Sequence, residues 1–168
     1  MEKKTYTMSM QQHIQSLIDD MEDIVNNHPY HAFALLAIVI EVLGKCFNKS
    51  DDWYERGNSG NDFCSAINLL YGLEKYRKYS EDKEYNRLYD VLRNGMLHTF
   101  LPKESITLSP NESDLSNNII GCKELYQDIK NAWKEINEGS IHISKDLSKP
   151  VINITDENSG LTPDITYK

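Results

Sequence analysis

Residues 30–47 read YHAFALLAIVIEVLGKCF, and their reading decides the fold. From Ala32 to Ile40 the run AFALLAIVI holds nothing polar, and Glu41 ends it. Its nine residues fall far short of the roughly 20 that a helix needs to cross a bilayer. A helix that is apolar on nearly all sides is stable in water only when other helices surround it. The stretch therefore predicts a central, buried helix, and with it a helical bundle.

The flanking sequence supplies the other helices. Over residues 10–27, Ile14, Leu17, Ile18, Met21, Ile24 and Val25 follow an i, i+3, i+4, i+7 stripe, with Ser9 as N-cap and NNHP at 26–29 as the stop. The turn-rich segment NKSDDWYERGNSGN, residues 48–61, predicts a long loop. A third helix is expected at 63–79, capped by Asp62, with Phe63, Ala66, Ile67, Leu70 and Leu73 on one face. Ser80 and the acidic turn Glu81–Glu84 begin a fourth. Its stripe is Tyr85, Leu88, Tyr89, Leu92 and Met96, and Pro102 closes it. A strand-like piece at 105–109 and a polar loop lead to a fifth helix at roughly 120–138, marked by Leu125, Ile129, Trp133 and Ile136.

Past Gly139 the pattern changes. IHIS (141–144) and VINIT (151–155) alternate as strands do, and ENSGLTPDITYK after them looks loosely held. The expected class is mainly α: a four- to five-helix bundle over residues 1–138, with a small C-terminal β appendage of the same domain over 139–168. ITLS is a further candidate for that appendage, and disorder is the alternative for the tail.

Composition bounds the function. Apolar residues make up 39% and charged residues 26%, as in a soluble globular chain. A net charge of −8 gives no general attraction for nucleic acid, so binding there needs a local patch. The nearest is 71–98, with six basic residues against five acidic ones, close to neutral. Cys46, Cys64 and Cys122 are odd in number and widely spaced, which suggests neither a zinc site nor a disulfide framework. No apolar leader segment precedes the first helix, so a reducing cytoplasm without membrane attachment is the expected location.

The fourth helix carries the chemistry, in VLRNGMLHTF, residues 91–100. On an α-helix Asn94 and His98 are i, i+4 neighbours, and Arg93 lies about 140° around the axis from His98. Gly95, which costs a helix interior roughly 0.5–1 kcal/mol against alanine, leaves room for close approach of another helix or a ligand. The bland reading leaves Arg93 and Asn94 in solvent and His98 near a helix C-terminus, where the dipole favours it. Glu41 is the second residue of interest: buried, it needs a cationic partner, and Arg93 is the candidate. Pointing outward between helices is the alternative.

The stretch LYDVLRNGMLHTFLP, 88–102, resembles the signature helix of the HEPN superfamily: an arginine, a polar residue, three more, then a histidine. The resemblance extends as helix order over about residues 10–138, because HEPN domains carry this signature on a late helix of a four- or five-helix bundle. It implies metal-independent RNA cleavage by a homodimer whose two signatures share one cleft. In that reading Arg93 and His98 are catalytic, Asn94 supports them, Glu41 orients the arginine, and neither cofactor nor metal is required. It also leaves open a non-catalytic HEPN-like module that binds a nucleotide, an RNA or a protein. Some HEPN toxins carry a tyrosine two residues after the histidine, which a partner enzyme modifies; here Phe100 stands there, so that regulation is not expected and any regulatory partner is unidentified.

Other candidates are weaker. His28 and His31 flank Pro29 with no acidic or thiolate neighbour and read as helix-start residues, while His13 and His142 have no constellation. Tyr71, Tyr76, Tyr79, Tyr85 and Tyr89 are spaced as packing and surface positions, with base stacking open to one or two of them.

Overall fold

A computed structural model of the chain describes residues 4–50, 52–53, 55–80, 88–95, 106–156 and 164–167. It is mainly helical, with two small sheets. No helix among the described residues is long and apolar enough to cross a membrane. The chain divides into two compact units, one of residues 18–145 and one made from both ends, 1–17 and 146–168.

Helix α1 spans Met10–Asn27, as its stripe requires, and Ser9 caps it. The Ser9 Oγ accepts from the Gln12 N–H at 3.2 Å while the Ser9 N–H donates to Gln12 Oε1 at 2.9 Å, a reciprocal box that satisfies two orphan helix-end donors. Within the larger unit α1 buries Ile18, Met21 and Val25, and the Tyr126 hydroxyl donates to the Ile18 carbonyl at 3.0 Å.

Helix α2, Pro29–Lys45, is the central element that the opening stretch predicts. Pro29 occupies its first turn, where no N–H is needed. Phe33, Leu36, Ile40 and Leu43 are fully buried, and α2 packs against α3 (Ser59–Leu69), α4 (Cys122–Asn137) and a π-helical stretch at Tyr89–Gly95. Contact with α3 is closest at Gly44. A Cβ there would sit 1.6 Å from the Asp62 carbonyl oxygen, so only glycine lets the two backbones meet.

The third helix is shorter than its apolar spacing suggests. It runs from Ser59 to Leu69 with Asn58 at the N-cap; Asp62 is not a cap but a buried residue of the helix body. The chain turns extended at Leu70 and left-handed at Gly72 (φ +87°), and the Tyr71 N–H donates to Glu135 Oε2 at 2.8 Å instead of to a helix carbonyl. A 3₁₀ turn, Glu74–Tyr79, then buries Tyr76 and Tyr79. Glycine at 72 and the carboxylate from α4 together stop a helix that hydrophobic period alone would continue.

Of the expected fourth helix, residues 81–87 and 96–105 lie outside the described residues. The part between is helical and buries Leu88, Val91 and Leu92, but it is wound as a π-helix over Tyr89–Gly95. The fifth helix, α4, buries Leu125, Ile129, Trp133 and Ile136 as its stripe predicts.

The β structure differs from expectation in three places. Thr107–Ser109 (β2) pairs in parallel with Ile119–Gly121 (β3) inside the larger unit, not with the tail. Residues 141–144 form no strand; the Ser144 and Lys145 N–H groups donate to the Cys46 carbonyl, which takes donors a sheet partner would need. In the smaller unit, Lys4–Ser9 (β1) pairs antiparallel with Pro150–Asp156 (β4), which pairs in turn with Asp164–Tyr167 (β5). VINIT is thus the middle of a three-stranded sheet whose first strand comes from the N-terminal segment, and Asp164–Tyr167 of the tail is a strand.

Replacing Gly44 with alanine gives a sign opposite to helix propensity. Propensity alone favours alanine by about 1 kcal/mol, whereas forcing α3 off α2 costs about 2–3 kcal/mol or more. Urea unfolding should show Gly44→Ala less stable than the wild type; an equal or higher midpoint would contradict the close approach.

Candidate active site around Arg93

Glu41 is 8% exposed, three turns into a helix with almost no polar surface. Ionised there, it must be met by positive charge, because an unpaired interior carboxylate costs several kcal/mol. Arg93 supplies it. The π-helical stretch lies against α2, and Arg93 Nε donates to Glu41 Oε2 at 3.4 Å. The arginine side chain is 29% exposed, so the pair lies at the edge of the core and not wholly within it. The grip uses Nε, and the paired Nη groups that make bidentate phosphate contacts are not what Glu41 takes.

The second carboxylate oxygen faces Lys45, one turn further along α2, with Nζ 3.8 Å from Oε1. The Lys45 ammonium also donates to the Trp53 carbonyl at 3.1 Å, which ties the loop after α2 to the cluster. Through the contact at Gly44, α3 brings in Asp62, itself only 5% exposed. Burial pushes the Asp62 carboxyl above its ordinary value; Lys45 and a hydrogen bond with the Asn48 side chain oppose the rise, Glu41 adds to it, and Lys145 weakly opposes it. Lys145, also buried, stands 4.8 Å over the Trp53 ring and donates to the Ser50 carbonyl. Cys46 beside them is inert, its thiol pushed up to about 12 by burial.

The structure thus brings together Arg93 and Glu41, as the need for a cation beside Glu41 predicts. Asn94 belongs to the π-helical stretch by its backbone. His98 lies outside the described residues, and so does the Arg93–His98 geometry. The separation of 140° is reckoned on an α-helix, whereas the described stretch that holds Arg93, Tyr89–Gly95, is wound as a π-helix, whose turns join positions five apart and not four. Such windings recur at functional sites.

No family model, curated protein or solved structure matches the chain.

Lys45 and Asp62 are the members that sequence reading passed over. Lys45 carries a signal, since it is four residues after Glu41 and in the favourable order for a helical ion pair. Asp62 carries none, because only the absent side chain at Gly44 places it against α2. Among the described residues no group of three or more His, Cys, Asp or Glu side chains is arranged to hold a metal ion, and the His28 and His31 rings sit edge to face, 6.0 Å apart.

A second charge cluster surrounds the buried Asp128 on α4, with Lys75 and Glu124 about a third exposed. Asp128 accepts from the Tyr76 hydroxyl at 2.8 Å and pairs with Lys75 at 2.8 Å; Lys75 also meets Glu124 at 2.5 Å, and Glu124 accepts the Ser113 N–H at 2.8 Å. Burial raises the Asp128 carboxyl, with the bonds from Lys75 and Tyr76 opposing it, and the Lys75 bond holds Glu124 low. Tyr76 and Lys75 converge on the same oxygen, Asp128 Oδ2, and Lys75 bridges it to Glu124, so this cluster fastens the 3₁₀ turn to α4.

Asp62 gives the site a pH signature. Its folded-state carboxyl lies above the unfolded value of about 3.9. Protonation therefore favours the fold; that contribution is full below the unfolded value and is lost as pH rises through the folded one. Asp62→Asn has no such loss. Its stability relative to the wild type should increase as pH rises from about 4 through the folded-state value of Asp62 and then level off in paired urea titrations, and a difference constant with pH would contradict the assignment.

Proposed function

We propose that the protein is a HEPN-type, metal-independent endoribonuclease that acts as a homodimer. The observation that carries the proposal is the anchoring of Arg93 by a buried carboxylate, in a chain whose residues 93–98 spell the Arg-Asn-x3-His signature. An arginine held at Nε by a carboxylate and partly exposed suits a phosphate that gains negative charge during reaction.

In the proposed reaction His98 takes the proton from a ribose 2′-hydroxyl as its oxygen attacks the adjacent phosphorus. Arg93 holds the phosphoryl oxygens as the phosphorus becomes pentacoordinate. The bond to the 5′-oxygen then breaks, and the partner subunit's His98 protonates that oxygen. The products are a 2′,3′-cyclic phosphate and a free 5′-hydroxyl. One histidine per signature is why two chains are needed, since base and acid must flank the phosphate together. Asn94 orients the histidine or the phosphate, and Glu41 fixes the arginine.

The net charge of −8 favours a second reading, a non-catalytic module that binds a nucleotide, a short RNA or a protein through the same arginine. Cleavage of a fluorescent single-stranded RNA in excess EDTA separates the two. The wild type should leave cyclic phosphate ends, and Arg93→Ala and His98→Ala should each lose on the order of 10²-fold or more in rate. Arg93→Lys should recover little, because a lysine cannot reproduce the planar fork. No cleavage by the wild type, or equal cleavage by all proteins, would remove the nuclease reading.

A further inference from the structure

Glu41 holds two cations, one with each oxygen: Arg93 at 3.4 Å through Oε2 and Lys45 at 3.8 Å through Oε1. Both cations are partly sheltered, with side-chain exposures of 29% and 18%, so water screens them less than it would a surface pair. Lys45 is fixed from a second side by the Trp53 carbonyl, and the buried Asp62 faces it from α3. Its positive charge thus acts on two interior carboxylates, Glu41 at 3.8 Å and, more weakly placed, Asp62.

We propose that Lys45 is a positioning residue for Arg93, acting through Glu41. It does so in two ways. The ammonium fixes the carboxylate plane, so that Oε2 is the oxygen presented to Arg93 Nε. It also takes a share of the Glu41 charge, which leaves the guanidinium with positive charge to spend on an anion. Without Lys45 the full carboxylate charge falls on Arg93, and the arginine binds Glu41 more strongly and a phosphate more weakly. The placement of Arg93 stands on the structure alone; the consequence for RNA rests on the nuclease reading above.

The test uses the full chain and three variants. Lys45→Met removes charge and hydrogen bond, Lys45→Gln removes the charge but keeps a donor for Trp53, and Lys45→Arg keeps the charge. The Nε–Hε resonance of Arg93, assigned by its loss in Arg93→Lys, reports the Glu41 contact directly. It should move in Lys45→Gln and Lys45→Met and return towards the wild-type position in Lys45→Arg. Unfolding midpoints taken alongside identify a variant that has lost its fold, and Lys45→Gln carries the test if Lys45→Met has.

In RNA cleavage, Lys45→Gln should lower kcat/KM about fivefold, the size of a partly sheltered ion-pair contact, with kcat falling too because Arg93 acts on the developing charge. Lys45→Arg should restore kcat/KM. An Arg93 resonance unmoved in folded Lys45→Gln overturns the proposal, whatever the RNA result. A resonance that moves in a protein whose wild type cleaves nothing upholds the positioning role and removes the nuclease reading instead.

Discussion

A single interior carboxylate organises the larger unit. Glu41 stands in the helix with the least polar surface in the chain, where an isolated charge costs several kcal/mol. The elements around it are arranged so that cations reach it: Lys45 from its own helix, and Arg93 from the π-helical stretch. The bare backbone at Gly44 lets α3 close on the same region and brings in Asp62, which in turn calls for Lys45 and Asn48. Apolar burial explains why α2 is central. It does not explain which neighbours sit at its C-terminal end, and there the charge on Glu41 decides.

The two charge clusters, each around one buried carboxylate, are built differently. Around Asp128 every contact is 2.8 Å or shorter, from a tyrosine and a lysine that arrive from one turn. Around Glu41 the contacts are 3.4 and 3.8 Å, and the arginine is partly exposed. The first geometry is that of a fastening. The second leaves binding capacity unspent, which is the condition of a group that must also hold something else; polar contacts of that kind commonly tighten only when a ligand arrives.

Much of this was legible in the sequence. Helices α1, α2 and α4 follow directly from their periodicity, because each buries one consistent stripe, or in α2 the whole circumference, and nothing local contradicts the pattern. The third helix was overextended, since Leu70 and Leu73 continue its apolar period while Gly72 and the distant Glu135 end it. Strand pairing was least legible. Alternation marked VINIT correctly but marked IHIS equally well, and only the Cys46 carbonyl separates the two cases. The Glu41–Arg93 pair was readable as a demand, a buried charge needing a cation, whereas Asp62 depended on a tertiary approach that no local spacing encodes.

The small sheet has a consequence for how the chain is made. Thr5 pairs with Thr155, so β1 meets its partner only after all of the intervening chain has been synthesised. Contacts so distant in sequence close slowly, and domains complete on the growing chain form first. Residues 18–145 therefore have time to collapse around α2 while β1 is still an unpaired edge, open to any other extended segment. During translation, β1 is therefore open to mispairing until Pro150–Asp156 has been made.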